Sequence, residues 1–340
     1  EDQADKFKVK DADDVLKNKA GNSIFINLLF TSLANAAGFD SGIVLSGDRS
    51  EAFFSPEKYP FTSFLEPAAV YVRLGSEVKY FNPGVPYLGF GQVSWTREGT
   101  RSMMVSESTS SWRLISVAEP KHSPARRKGN FRLEEDGTLS GTATIEYSGH
   151  QAIARRRDDY RSSEAKREES FKDELKGRIS TAEVTDLSIR NFDDPSKPLI
   201  YSYKVKIPNY AQKVGRRLII RPGTFEFGSP PVFASDTRAY DVYFPYAWSE
   251  QDELEIMLPA GFSLENAESP ADVADPNGIS SQKISMAIDK GSNKLIYKRE
   301  FFFGGNAKLI FPATAYSALK RLFDAFHQMN DHSISLRAEQ

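Results

Sequence analysis

Apolar positions along the chain follow two regimes. Between Asp11 and Ala37 they recur at helical spacing, and after Gly42 they fall in short blocks between turn residues. Asp11 is placed to cap a helix through Ala20, with Gly21 suited to its C-terminal stop. Asn22 or Ser23 then caps a second helix that runs to Ala37, where Gly38 ends it. Ile24, Phe25, Leu28, Leu29 and Leu33 give this helix an apolar face at three- and four-residue spacing.

Strands follow. Residues 42–46 form one, and residues 68–74 and 77–81 form a hairpin around Gly75-Ser76. Residues 112–118 form another, so helices and an antiparallel sheet make an α+β unit ending near residue 120. Residues 121–130 read as a basic connector containing proline and glycine. Residues 131–135 and 138–147 flank Asp136-Gly137, a two-residue hairpin signal. The charged stretch 150–176 has sparse apolar positions at Ile153, Tyr160, Phe171 and Leu175; it predicts a long exposed helix broken near Arg161-Ser162-Ser163. From 182 to 310 short strands alternate with Pro, Gly and Asp turns, at 184–189, 199–207, 217–220, 240–244, 253–257, 283–287, 294–302 and 307–311. Such regular spacing argues an antiparallel β-sandwich. Pro312 opens a last helix, whose stripe of Tyr316, Leu319, Leu322, Phe323, Phe326 and Met329 should pack on the sandwich. The expected organisation is therefore an α+β chain with one domain at 1–120 and a second at 121–340.

Composition sets limits on this picture. The chain has 340 residues, 40% of them hydrophobic and 26% charged, which fits about two ordinary globular domains. A net charge of −2 points to no nucleic-acid or anionic-membrane partner. No apolar run is long enough to span a bilayer; the longest, 24–37, is interrupted by Asn27, Thr31, Ser32 and Asn35. The charged segment 1–10 is not a secretory signal. Zero cysteines excludes disulfides, thiolate metal sites and a cysteine nucleophile. His122, His150, His327 and His332 make no His-rich metal site, so neither metal nor cofactor is expected.

The run from Asp13 to Phe39, with Gly21-Asn22-Ser23 at its centre and Ala36-Ala37-Gly38 at its end, resembles the nucleophile helix of the bacterial transglutaminase-like superfamily. In that resemblance Ser23 stands at the cysteine position. Tyr80-Phe81-Asn82-Pro83-Gly84 matches the Asp-Pro pair, with Asn82 in place of aspartate. The histidine position falls around Phe64, Leu65 and Glu66, ahead of Ala69-Val70-Tyr71-Val72, and no histidine lies between Ser23 and His122. Over about residues 141–336 the chain resembles the C-terminal domain of unknown function that follows this core. The marks are Asp236-Thr237-Arg238, Tyr243-Phe244-Pro245-Tyr246, Leu258-Pro259-Ala260-Gly261-Phe262, Tyr297-Lys298-Arg299 and Tyr316-Ser317-Ala318-Leu319-Lys320. The resemblance implies a truncated transglutaminase-like (papain-like) unit ahead of the sandwich. It also implies a piece of a longer exported bacterial protein, periplasmic or at the cell surface, because the family's export signal, N-terminal sandwich and first half of the core are not in this sequence.

The substitutions bear on chemistry. A serine hydroxyl needs a base before it can attack a carbonyl. Asn82 could orient an imidazole, but no imidazole is near in sequence. Glu66 is the near carboxylate, and it is too weak a base unless burial raises its pKa. Plainer roles are a helix cap for Ser23 and a turn for Asn82-Pro83-Gly84. The expected function is a non-catalytic binding or structural module that takes a peptide, a glycan or a protein partner in the vestigial cleft. Asn22, Ser23, Asn82, Tyr87 and Trp95 are its binding residues, and Phe90 is a further aromatic beside them. The alternative is a serine-dependent amide hydrolase or acyltransferase using Ser23 with Glu66, His122 or His150. A third class is an architectural domain in which the sandwich does the work. The basic triplets 126–128 and 155–157 are read as solvated, salt-bridged surface near Asp158, Asp159, Glu164, Glu168 and Glu169. Gly89-Phe90-Gly91 lacks the strand–glycine–helix setting of a dinucleotide fingerprint.

Overall fold

A computed structural model describes residues 9–52, 54–58, 61–266, 268–289 and 291–339, so most of the charged segment 1–10 lies outside the described residues. The chain divides into two compact units, residues 1–118 with 194–196, and residues 119–193 with 197–340.

In the first unit Asp11 accepts from the Asp14 amide and opens α1 (Ala12–Asn18), which ends on Lys19 in the left-handed conformation rather than at Gly21. Asn22 caps α2 (Ser23–Ala36). Five antiparallel strands follow: β1 (Asp40–Ser46), β2 (Glu66–Leu74), β3 (Glu77–Phe81), β4 (Arg101–Val105) and β5 (Ser110–Leu114). They lie in the order β3-β2-β1-β4-β5. The last strand starts and ends earlier than residues 112–118 suggested, and its side chains are exposed. Because side chains alternate along a strand, β2 serves two faces. Ala69 and Tyr71 join Val44 and Met104 on one; Val70 and Val72 join Phe81 and Ile43 on the other, under Phe30 of α2.

The apolar face predicted for α2 is rotated. Ile24, Leu28 and Leu33 are exposed, while Ile26, Asn27, Phe30, Thr31 and Ala34 form the more buried side. Asn27 is at the centre of that side, and its hydrogen bonds, described below, set the rotation.

The second unit opens with β6 (Pro124–Leu133) and β7 (Leu139–Tyr147), joined at Asp136-Gly137. Gly137 has φ +86°, and a Cβ there would come within 2.4 Å of the Ala211 carbonyl, so glycine is required twice over. Residues 124–130 are strand, not connector. Their alternation is masked because Arg127 occupies an inward position among Ala125, Gly129, Phe131 and Leu133. Next come α3 (Gly149–Asp158) and α4 (Glu164–Arg178), two helices separated at residues 159–163, where Ser163 caps the second. They are not exposed throughout. Ala152 and Ile153 of α3 and Phe171 and Leu175 of α4 are buried, and Phe171 stacks on Tyr201 at 5.0 Å. Arg156 is also buried and donates to the carbonyls of Phe192, Asn191 and Lys197, so the 155–157 triplet is only partly solvated surface.

The chain continues through β8 (Glu183–Arg190), β9 (Leu199–Ile207), β10 (Gln212–Val214), β11 (Arg217–Ile220) and β12 (Val242–Tyr243). Then follow β13 (Trp248–Met257), β14 (Phe262–Asn266), β15 (Val273–Ala274), β16 (Ser280–Asp289), β17 (Lys294–Phe303) and β18 (Ile310–Phe311). The last elements are α5 (Tyr316–Asn330) and β19 (Ile334–Ala338). One sheet has the order β15-β16-β17-β13-β6-β7-β9-β8; a smaller one runs β10-β11-β19-β14, and β12 pairs with β18. Among the described residues every strand pair is antiparallel except β6–β13. The α5 stripe is buried as its spacing predicts, with Phe323 5.1 Å from Phe303 and Phe326 5.4 Å from Phe301. The architecture is α+β, strand-rich, with a C-terminal helix.

Strand register builds a charged core in this unit. Asp252 of β13 lies opposite Arg127 of β6 on one side and Arg299 of β17 on the other. Arg127 donates to both Asp252 oxygens at 2.6 and 2.9 Å and pairs with Glu226 at 2.7 Å. Arg299 donates to Glu250 at 2.7 Å, and to Gln282 and Asn330. Burial would raise the Glu250 carboxyl, but Arg299 and Arg127 outweigh it and hold it at about 2. For Asp252 burial prevails, and its carboxyl stands above the ordinary value despite the same two guanidinium groups.

Candidate functional site

Of the residues singled out in the first unit, Asn22, Ser23 and Asn82 gather around α2. The Asn22 side chain accepts from the Phe25 amide at 3.0 Å and supplies the cap, which leaves Ser23 as the first helical residue with an exposed side chain. Replacing Asn22 by alanine removes this cap and is expected to destabilise the unit by about 1 kcal/mol in urea unfolding. No described residue is hydrogen-bonded to the Ser23 hydroxyl.

Asn82 is buried just beyond the end of β3, and both ends of its amide are engaged. Its Nδ2 donates to the Ala68 carbonyl at 2.6 Å, and its Oδ1 accepts from Asn27 Nδ2 at 3.1 Å. Asn27 Oδ1 in turn accepts from the Gly84 amide at 3.1 Å. Two asparagines thus tie α2 to β2 and to the turn at 82–84. The approach is close: a Cβ on Gly84 would lie 2.4 Å from the Ser23 carbonyl oxygen and 2.6 Å from its Cα. The structure brings Asn22, Ser23 and the 82–84 turn together. Asn27, which completes the group, was not singled out from the sequence; its signal was a polar residue interrupting an apolar helix.

The other named residues have separate engagements. Glu66 is ion-paired with Arg97, which also reaches Asp48 at 3.3 Å. Trp95 is half-buried under the Arg49 guanidinium, 5.1 Å from its ring centroid. Tyr87 is half-buried, with φ +65°. Phe90 is the open aromatic: it is 83% exposed and rests edge-on against Phe81, with ring centroids 5.0 Å apart. Phe81 meets Phe30 of α2 at 5.5 Å. His122 and His150 both belong to the second unit. His122 is exposed, and His150 is buried with its ring 5.2 Å from Tyr246. The sequence of the first unit contains no histidine.

Chemically, the start of α2 offers the exposed hydroxyl of Ser23, and Phe90 offers an exposed ring beside Phe81. Such a surface suits hydrogen bonding and stacking. Among the described residues, no group of three or more His, Asp or Glu side chains is placed to hold a metal ion, and no helix is long and apolar enough to cross a membrane.

Residues 216–336 match a family described as a domain of unknown function with a solved structure, DUF3858. No curated protein matches the sequence. A crystal structure of a provisionally assigned protease from Parabacteroides distasonis is similar, with a TM-score of 0.52 at 12% identity, over 97% of this chain and 46% of that one. The chain therefore spans about half the length of that protein, and the likeness is one of fold.

Proposed function

We propose that the chain is a non-catalytic binding module of an exported bacterial protein. Its first unit keeps a transglutaminase-like frame and recognises a peptide, a glycan or a protein partner with the surface around Ser23 and Phe90. The observation that carries this reading is the state of Asn82. Its amide donates to a carbonyl and accepts from Asn27 inside the unit, so it holds the helix to the sheet, and the sequence of this unit has no histidine for it to orient. The association of DUF3858 with transglutaminase-like proteins agrees with the assignment of the frame.

The exposed hydroxyl of Ser23 at a helix N-terminus, and a structural neighbour carrying a provisional protease description, favour a second reading, a serine-dependent amide hydrolase. Intact-mass labelling with a broad fluorophosphonate probe separates the two. The binding reading expects no adduct on the protein. Stoichiometric labelling that vanishes in Ser23→Ala overturns it and establishes an activated serine.

A further inference from the structure

A cavity of about 190 Å³ opens in the second unit between α4 and strands β6, β7 and β9. Three arginines line it, and two of them are already matched. Arg155 forms a two-pronged pair with Glu174, at 3.1 and 3.2 Å, and Arg127 is paired with Glu226 and Asp252. Arg178, at the end of α4, is different. One of its terminal nitrogens donates to the Phe225 carbonyl and to Ser229, and no carboxylate of a described residue lies within 4.0 Å of its guanidinium. Arg178 is thus the lining arginine without a carboxylate in ion-pair contact, and it has guanidinium donors to spare.

Two tyrosines reinforce this. Tyr147 and Tyr203 line the same cavity and are only 7% and 6% exposed, and neither hydroxyl has a hydrogen-bond partner among the described residues. Burial raises the pKa of both phenols, so each keeps its proton to donate at neutral pH. Phe171, Leu175 and Ile145 complete the wall with apolar surface.

We propose that this cavity binds one carboxylate group carried on a small apolar or aromatic body, with Arg178, Tyr147 and Tyr203 as the donors. A guanidinium and two O–H groups converge on the chemistry of a planar monoanion. A doubly charged phosphate fits less well, because the carboxylates of Glu174 and Glu226 share the lining. The carboxylate could belong to a free organic acid or to the C-terminus of a peptide. This site is separate from the one around Ser23 and stands or falls independently of it.

Calorimetric titration of the full chain with phenylacetate, phenylacetamide and inorganic phosphate tests the proposal. Saturable binding of phenylacetate is expected, about tenfold or more tighter than either of the others. Tyr203→Phe removes one O–H at constant shape, and Arg178→Met removes the cation; each is expected to weaken phenylacetate about tenfold, the size of one charge-assisted hydrogen bond. A glycyl peptide ending in phenylalanine distinguishes the sources. Tighter binding than phenylacetate assigns the site to chain termini, and equal or weaker binding assigns it to small acids. The proposal is overturned if phenylacetate does not bind at millimolar concentration, if the amide or phosphate binds as well, or if Tyr203→Phe, folded by circular dichroism, binds unchanged.

Discussion

Arg299→Met is expected to destabilise the second unit by about 3–5 kcal/mol, because it leaves the buried carboxylates of Glu226, Glu250 and Asp252 to share the single guanidinium of Arg127. Arg299 is 3% exposed and Asp252 1%, so water cannot replace the lost guanidinium without opening the sheet. The change also breaks the bonds to Gln282 and Asn330 that link β16, β17 and α5. Urea unfolding followed by Trp248 fluorescence, with Trp95 and Trp112 replaced by phenylalanine, reads this unit alone. A loss below about 1 kcal/mol would show that the charges are solvated in a way this packing forbids. The same site predicts a pH dependence. The folded Glu250 carboxyl, at about 2, lies below its unfolded value of about 4.3. Its contribution is therefore complete above pH 4.3 and is lost as pH falls toward 2. Wild type should lose stability through that window more steeply than Glu250→Gln, which has no carboxyl to protonate and starts from a lower stability at pH 7.

Asn82→Asp is expected to destabilise the first unit by about 3 kcal/mol at pH 7, although it installs the residue that the transglutaminase-like pattern has at this position. The amide N–H₂ that donates to the Ala68 carbonyl would become a carboxylate oxygen facing that carbonyl in a buried setting. Burial and the opposed carbonyl both raise the folded pKa of the new group above its unfolded value near 3.9. The sign then follows: the variant is penalised most when the group must ionise, and the penalty shrinks as pH falls toward 4. Urea midpoints at pH 7 and pH 4.5 check this. If Asn82→Asp unfolds like wild type at both, the clamp is not what holds α2 to the sheet.

Much of the architecture was legible because local chemistry and tertiary demand agree. The turn at Gly75-Ser76 sits between strands that pair in the register it implies, and Asp136-Gly137 marks a hairpin whose turn is longer than two residues, with the strands closing at Leu133 and Leu139. The stripe from Tyr316 to Met329 had one possible buried side, and it is the side that packs. The marks from Asp236-Thr237-Arg238 to Tyr316 all fall within the residues matched to DUF3858. What was hidden depended on partners distant in sequence. Arg127 disguised β6 as a connector, since only Asp252, 125 residues away, makes an inward arginine tolerable. Asn27 turned α2 away from its most apolar face for a similar reason, its partner being 55 residues on. Of the candidate site, the proximity of Ser23 to the 82–84 turn follows the order of motifs in the chain. The engagement of Asn82, Glu66 and Trp95 with neighbours could not be read from any local pattern.

The parallel pairing of β6 with β13 sets a schedule for biosynthesis. On the ribosome β6 emerges well before its central partner, and at about 5–20 residues per second the interval is on the order of ten seconds. Throughout that time β6 can hold β7 on one edge, while its other edge, with Arg127 inward, has neither Asp252 nor backbone partners. A strand edge left open for that long is an invitation to mispairing. The buried arginine makes a wrong neighbour expensive, because any strand that docks there without a carboxylate must bury an unmatched charge. The Arg127–Asp252 contact of the finished sheet thus favours β13 at this edge over any strand that lacks a carboxylate at the facing position.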